Sequence, residues 1–145
     1  MDYSRLSKQE LIEILVQTNG EKVKDPGCAM NEIRAFKMDF SQENVILLVL
    51  DNANHVLRKK LVFKGGLSES IIDLKIILNI ALRTRKSRGI IVAHNHPSGS
   101  LTPSREDIEF TTRCRDACKL VGLQLVDSII FTETGSRSLR EDNFI

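Results

Sequence analysis

The stretch from Gly89 to Leu120 constrains the fold of this chain more than any other. Gly89-Ile90-Ile91-Val92-Ala93 is an unbroken apolar run of strand length, and Ser104 to Leu120 reads as a helix closed by Val121-Gly122. Between them stands His94-Asn95-His96-Pro97-Ser98-Gly99-Ser100-Leu101-Thr102-Pro103, followed by Ser104-Arg105-Glu106-Asp107. Alternate residues of a strand point the same way, so His94 and His96 leave the strand end side by side while Asn95 points to the opposite side. Asp107 falls in the first helical turn. Two imidazoles and one carboxylate can then converge on one point. Three ligands with a fourth position left for water is the pattern of a catalytic zinc site rather than a closed structural one. Taken piece by piece, the same residues also fit a surface histidine pair and an ordinary helix start. In that reading Ser104 is the N-cap and the acidic residues are favoured by the helix dipole.

Taken whole, the segment resembles the JAMM metalloprotease motif (also called MPN or JAB). That motif is an upstream Glu, then His-x-His, seven residues, Ser, two residues and Asp. His94 and His96 match the pair, Pro97 to Pro103 are the seven residues, and Ser104 and Asp107 fall in register. The wording His-Asn-His-Pro-Ser-Gly looks like the RadC branch of that family. The resemblance runs back through Val45–Asp51 and Phe63-Lys64-Gly65-Gly66, and forward to Leu125-Val126-Asp127. It covers residues 41–145, most of the chain, and leaves residues 1–40 as a helical or irregular N-terminal segment. By position, the remaining Glu of the motif falls on Glu43. From the residues alone, Glu43 reads better as a solvated end to the polar loop Asp39 to Asn44.

The resemblance implies an α/β fold, a mixed β-sheet flanked by helices in a cytidine-deaminase-like three-layer JAB/MPN domain. It implies hydrolysis of a peptide or isopeptide bond in a peptide or protein substrate. Zn2+ would be held by His94, His96 and Asp107 and would lower the pKa of its water to about 7. Glu43 would act as the base toward that water, and the Ser104 hydroxyl would donate to the developing oxyanion. Two other functions are associated with such chains: a DNA-repair role on or near nucleic acid, and a non-catalytic MPN interaction domain. Interaction domains of that kind lack the ligands present here. A zinc nucleobase deaminase needs His-x-Glu and Pro-Cys-x-x-Cys, and this chain has neither.

The chain departs from the RadC pattern in three places. Residues 1–40 are too few for the helix-hairpin-helix-like module that members usually carry, which removes support for DNA binding. Asp127-Ser128 stands where members often read Asp-His, and Ser136-Arg137-Ser138-Leu139 replaces an aromatic-Ser-Phe stretch.

Composition adds bounds. A chain of 145 residues that is 41% hydrophobic suits one domain with one core. A net charge of +2 and short basic clusters, Arg58-Lys59-Lys60 and Arg83 to Arg88, give no strong nucleic-acid signal. No apolar stretch approaches the ~20 residues of a membrane helix and no leader is evident, so a cytoplasmic protein is expected. The oligomeric state is not legible. Three cysteines without a CxxC suit a reducing compartment. Cys114 and Cys118 lie four apart on one helical face with Thr111 and Val121 and read as small buried residues. Cys28 follows Asp25-Pro26-Gly27, which reads as a turn.

Elsewhere, Leu6 to Gln17 reads as an amphipathic helix, and residues 20–44 as irregular with Asn31 to Met38 as a helical stretch. Val45–Leu50 and Val56–Phe63 read as strands joined by a turn, with His55 on the surface. Ser68 to Arg83 reads as a helix, a strand remaining open for its first part. Leu123 to Thr132 is a long strand before a short tail.

Overall fold

The apolar runs form the middle of a five-stranded sheet. A computed structural model describes residues 4–10, 20–65 and 73–145 of the chain. Its described elements are helix α1 (Pro26–Arg34), strands β1 (Glu43–Leu50) and β2 (Val56–Gly65), helix α2 (Leu74–Arg83), strand β3 (Gly89–Asn95), helix α3 (Arg105–Leu120), and strands β4 (Gln124–Phe131) and β5 (Ser136–Ser138). The strand order is β2-β1-β3-β4-β5. β3 and β4 are parallel, with α3 as their crossover, and every other pairing is antiparallel.

Every residue of β3, and all of β1 after Glu43, is buried. Strands apolar on both faces need a covering layer on each. α1 covers one face, packing Ala29, Met30 and Ile33 on Ile46, Leu48, Ile91, Ala93, Ile129 and Phe131. α2 and α3 cover the other, with Ile77, Ile80, Cys114 and Cys118 against Val45, Leu47, Val49, Ile90 and Val92. This is the expected mixed α/β three-layer arrangement. Val23 and α1 belong to the same core, so the first layer is built from residues ahead of β1. β2 carries exposed Arg58, Lys59 and Lys60 on the outermost strand, where charge discourages edge-to-edge association.

Several local readings are corrected. Asp25-Pro26-Gly27 is not a turn but the start of α1. Asp25 is the N-cap, accepting from the Cys28 backbone N–H at 2.8 Å, and Pro26 occupies the first turn, where its missing N–H costs nothing. The helical stretch placed at Asn31 to Met38 therefore lies earlier, and α1 ends at Arg34. Val121 does not share the buried face of Thr111, Cys114 and Cys118; it is exposed where α3 ends. There Gly122, at φ +78°, lets the Leu123 N–H reach back to the Cys118 carbonyl at 2.8 Å. The tail forms a strand, β5, in which Ser138 pairs with Ile129, and Leu139 beyond it is fully buried. Most of the helix expected over Leu6–Gln17, and the part of the Ser68–Arg83 helix before residue 73, lie outside the described residues.

No helix among the described residues is long and apolar enough to cross a membrane. The thiols of Cys28, Cys114 and Cys118 are free. Its hydrogen bond with Cys118, together with burial, pushes the Cys114 thiol far up, so it stays protonated as a small core residue.

Candidate metal centre

The site forms where β3 ends and α3 begins, on the sheet face covered by α2 and α3. His94 is the next-to-last residue of β3, buried and opposite Val45 of β1. His96 follows on the same side. From there the chain turns through Gly99, at φ +79°, whose N–H donates to the His96 carbonyl at 2.9 Å. A Cβ at that backbone angle would be strained, so Gly suits the turn.

The His96 ring is held from behind. Its Nδ1 lies 3.0 Å from the Ser100 carbonyl oxygen, which can only accept, so Nδ1 carries a proton and Nε2 is the atom offered to the site. α3 then begins with a capping box. Ser104 Oγ accepts from the Asp107 backbone N–H at 3.1 Å, and the Asp107 carboxylate accepts from the Ser104 backbone N–H at 2.8 Å. This reciprocal pair fixes the Asp107 rotamer and aims it at the histidines.

His94 Nε2 lies 3.0 Å from Asp107 Oδ1, His96 Nε2 lies 3.0 Å from Asp107 Oδ2, and the two Nε2 atoms are 3.2 Å apart. Among the described residues, His94, His96 and Asp107 form the one group of three or more His, Cys, Asp or Glu side chains arranged to hold a metal ion. The donor chemistry fits zinc. Two ligands about 2.0–2.1 Å from a tetrahedral ion stand roughly 3.3–3.4 Å apart, close to these spacings, and imidazole nitrogens with a carboxylate suit zinc.

The electrostatics fit such a site as well. Burial opposes ionisation of Asp107, but hydrogen bonds from His94 and His96 outweigh it and hold the carboxyl far below the usual range. The hydrogen bond to Asp107 raises His96 above its ordinary value against a smaller opposing effect of burial, and the charge of Glu43 adds to the rise.

These shifts set a pH dependence with a definite sign. In metal-free protein the depressed Asp107 contributes stability present above about pH 4, the unfolded carboxylate value, and lost as pH falls through its folded value. The raised His96 contributes stability present below about pH 6.5 and lost as pH rises through its folded value. Metal binding runs the other way, because His96 must shed its proton. The stabilisation that zinc adds over chelator-treated protein should therefore grow between about pH 5 and pH 8. Paired thermal melts across that range check this, and an increment that shrinks with rising pH would contradict it.

Glu43 stands at the start of β1, half-buried. Val45 pairs with His94, so Glu43, two residues earlier on the same strand face, falls beside His96. The sheet thus brings Glu43 to the cluster that the local sequence builds from His94, His96, Ser104 and Asp107. His55 is elsewhere: its Nδ1 contacts Asp51 Oδ2 at 3.2 Å beyond the far end of β1. Asp127-Ser128 is structural. Asp127 accepts from the Ser128 and Arg140 backbone N–H groups and from Ser138 Oγ, and Thr111 Oγ1 lies 3.2 Å from Ser128 Oγ.

Three residues that support the site were not singled out from the sequence: Asn44, Ser100 and Asn95 as a hydrogen-bonding group. The alternation that turns Asn95 away from the histidines was legible. That Asn44 would meet it required the register of β1 on β3.

With this geometry in view, the comparisons agree on the family. The chain matches the RadC-like JAB domain family over residues 23–144. It is 35% identical over 143 residues to a UPF0758 protein of Clostridium perfringens, covering 99% of this chain and 60% of that one. It is 43% identical over 103 residues to a UPF0758 protein of Enterococcus faecalis, covering 71% and 44%. It is 46% identical over 101 residues to one of Halalkalibacterium halodurans, covering 70% and 43%. The chain belongs to the RadC-like JAB domain family, and it spans roughly half the length of these curated relatives.

Proposed function

We propose that this chain is a zinc-dependent hydrolase of peptide or isopeptide bonds, acting on a peptide or protein substrate. The observation that carries the reading is the convergence of His94, His96 and Asp107 within 3.0–3.2 Å of one another, with a carboxylate, Glu43, on the same sheet face. His94, His96 and Asp107 would hold the ion, which supplies Lewis acidity to a water and to a scissile carbonyl when bound. Glu43 takes the proton of the attacking water and returns it to the departing amine.

The Ser104 hydroxyl donates to the carbonyl oxygen as that oxygen gains charge. The cap does not prevent this. Capping uses a lone pair of Oγ, and a hydroxyl has one proton to give besides two lone pairs to accept with. The unpaired thiols of the described residues fit a cytoplasmic setting.

The test is zinc content by elemental analysis of protein purified without a metal-affinity tag, then cleavage of a peptide library with and without chelator. One zinc per chain and chelator-sensitive cleavage support the proposal. One zinc without cleavage of any peptide or isopeptide bond would leave a metal-binding domain and sink the hydrolase.

Ser104 has its own expected outcome. Ser104→Ala should lower turnover and also cost about 0.5–2 kcal/mol through the lost cap. Ser104→Asp should restore the melting temperature and leave turnover low, since a carboxylate caps but cannot donate. Full activity in Ser104→Asp would reduce Ser104 to a cap.

A further inference from the structure

The main-chain ladder between β1 and β3 runs from Leu50↔Gly89 to Val45↔His94 and stops there. One more rung of that register sets Asn44 opposite Asn95, and a second sets Glu43 opposite His96. Beyond the last main-chain pair, the Asn95 side chain takes over. Its Oδ1 accepts from the Asn44 backbone N–H at 2.7 Å and from Asn44 Nδ2 at 3.1 Å, and its Nδ2 donates to the Gln42 carbonyl at 2.9 Å. Asn44 Nδ2 closes the other side, its two N–H groups shared between Asn95 Oδ1 and the Asp39 and Gln42 carbonyls, each carbonyl at 3.0 Å.

Both asparagines are fully buried, on the face opposite the metal donors. The two main-chain groups that Asn95 grips, the carbonyl of residue 42 and the amide of residue 44, flank Glu43. Asn95 itself lies between His94 and His96. One buried amide thus joins the backbone that carries two ligands to the backbone that carries the carboxylate. Among side chains of this size, a carboxamide both accepts from the Asn44 amide and donates to the Gln42 carbonyl without taking up a proton.

We infer that Asn95 is a positioning residue: through its paired hydrogen bonds across the sheet it sets where Glu43 stands relative to the His94–His96–Asp107 centre. The inference rests on the reading of Glu43 as the proton-transfer group of that centre. It separates two tasks on adjacent residues, the ligands facing one side of β3 and the brace for the base facing the other.

The experiment uses Co2+ as the probe, titrated into wild type, Glu43→Gln, Asn95→Ala, Asn95→Asp and the Glu43→Gln/Asn95→Ala double variant. Visible absorption and amide hydrogen exchange are the readouts. All five should bind one equivalent, because Ser100 and the capping box still hold the ligands. Glu43→Gln should change the Co2+ bands. Asn95→Ala should move them the same way, the double variant should show no further change, and the Asn44 amide should exchange about tenfold faster in Asn95→Ala. Should Asn95→Ala not fold, Asn95→Asp at a pH where its carboxyl is ionised carries the test, since the carboxylate keeps the acceptor for the Asn44 amide and loses only the donor to Gln42; it should show the band shift with Asn44 still protected.

Each contrary outcome has its own meaning. Wild-type bands in Glu43→Gln would remove Glu43 from the centre and overturn the base and its brace together. Altered bands in Glu43→Gln but wild-type bands in Asn95→Ala, with the Asn44 amide exposed, would overturn the brace and leave the base standing. Loss of Co2+ binding by folded Asn95→Ala would also overturn it, because Asn95 would then serve the ligands.

Discussion

On the proposed function, Glu43→Gln should leave zinc content unchanged and lower peptide or isopeptide hydrolysis by the ~10²–10⁴-fold usual for a lost general base. The substitution keeps the size of the side chain and removes only its ability to take a proton. Side-by-side elemental analysis and turnover measurements decide the matter. Zinc lost together with activity would make Glu43 a ligand. Activity kept in full would pass the base role to another carboxylate. Asp51 is a poor successor, because it lies beyond the far end of β1, where its carboxylate accepts from the His55 and Ala53 backbone N–H groups. Glu106, exposed in the first turn of α3, is the one to test next.

Asp107→Asn should abolish stable zinc binding, and hydrolysis with it. The amide oxygen can still take the Ser104 backbone N–H, so the helix start survives. The charge that balances the ion and both histidines is gone. Loss of a partner that only supports a ligand costs 10–100-fold in affinity, and loss of the ligand itself should exceed about 100-fold. Competition with a chelator of known affinity measures it. Asp107→Ala should be equally deficient in metal and also less stable, because half of the capping box goes too. A zinc affinity within tenfold of wild type in Asp107→Asn would show that two histidines and another group hold the ion.

The part of the site legible in the sequence is the part built by neighbours along the chain. Strand alternation placed His94 and His96 together, and a helix start placed Ser104 and Asp107, with no long-range information needed. Glu43 was legible only through family resemblance, because its relation to His96 depends on how β1 pairs with β3. The central strands were equally plain, since buried parallel and central strands read as unbroken apolar runs. The start of α1 was misplaced for a physical reason. Asp25-Pro26-Gly27 carries turn residues, yet Asp at the N-cap and Pro in the first turn also begin helices, and the choice was made by burial of Ala29, Met30 and Ile33 against the sheet. β5 is three residues long and has no apolar alternation; its pairing with β4, beside the Asp127–Ser138 hydrogen bond, defines it.

The separation between near and distant parts of the site also orders its assembly. His96 and Asp107 are 11 residues apart, whereas Asn44 and Asn95 are 51 apart. Closing the longer loop costs about 1.4 kcal/mol more chain entropy than closing the shorter one. The convergence of His94, His96 and Asp107 is therefore a local event, within reach of a chain that has formed little more than the β3–α3 junction. Glu43 joins that centre only when β1 has docked on β3, so under the proposed function a partly folded chain would capture its metal before it could cut anything, its own neighbours included.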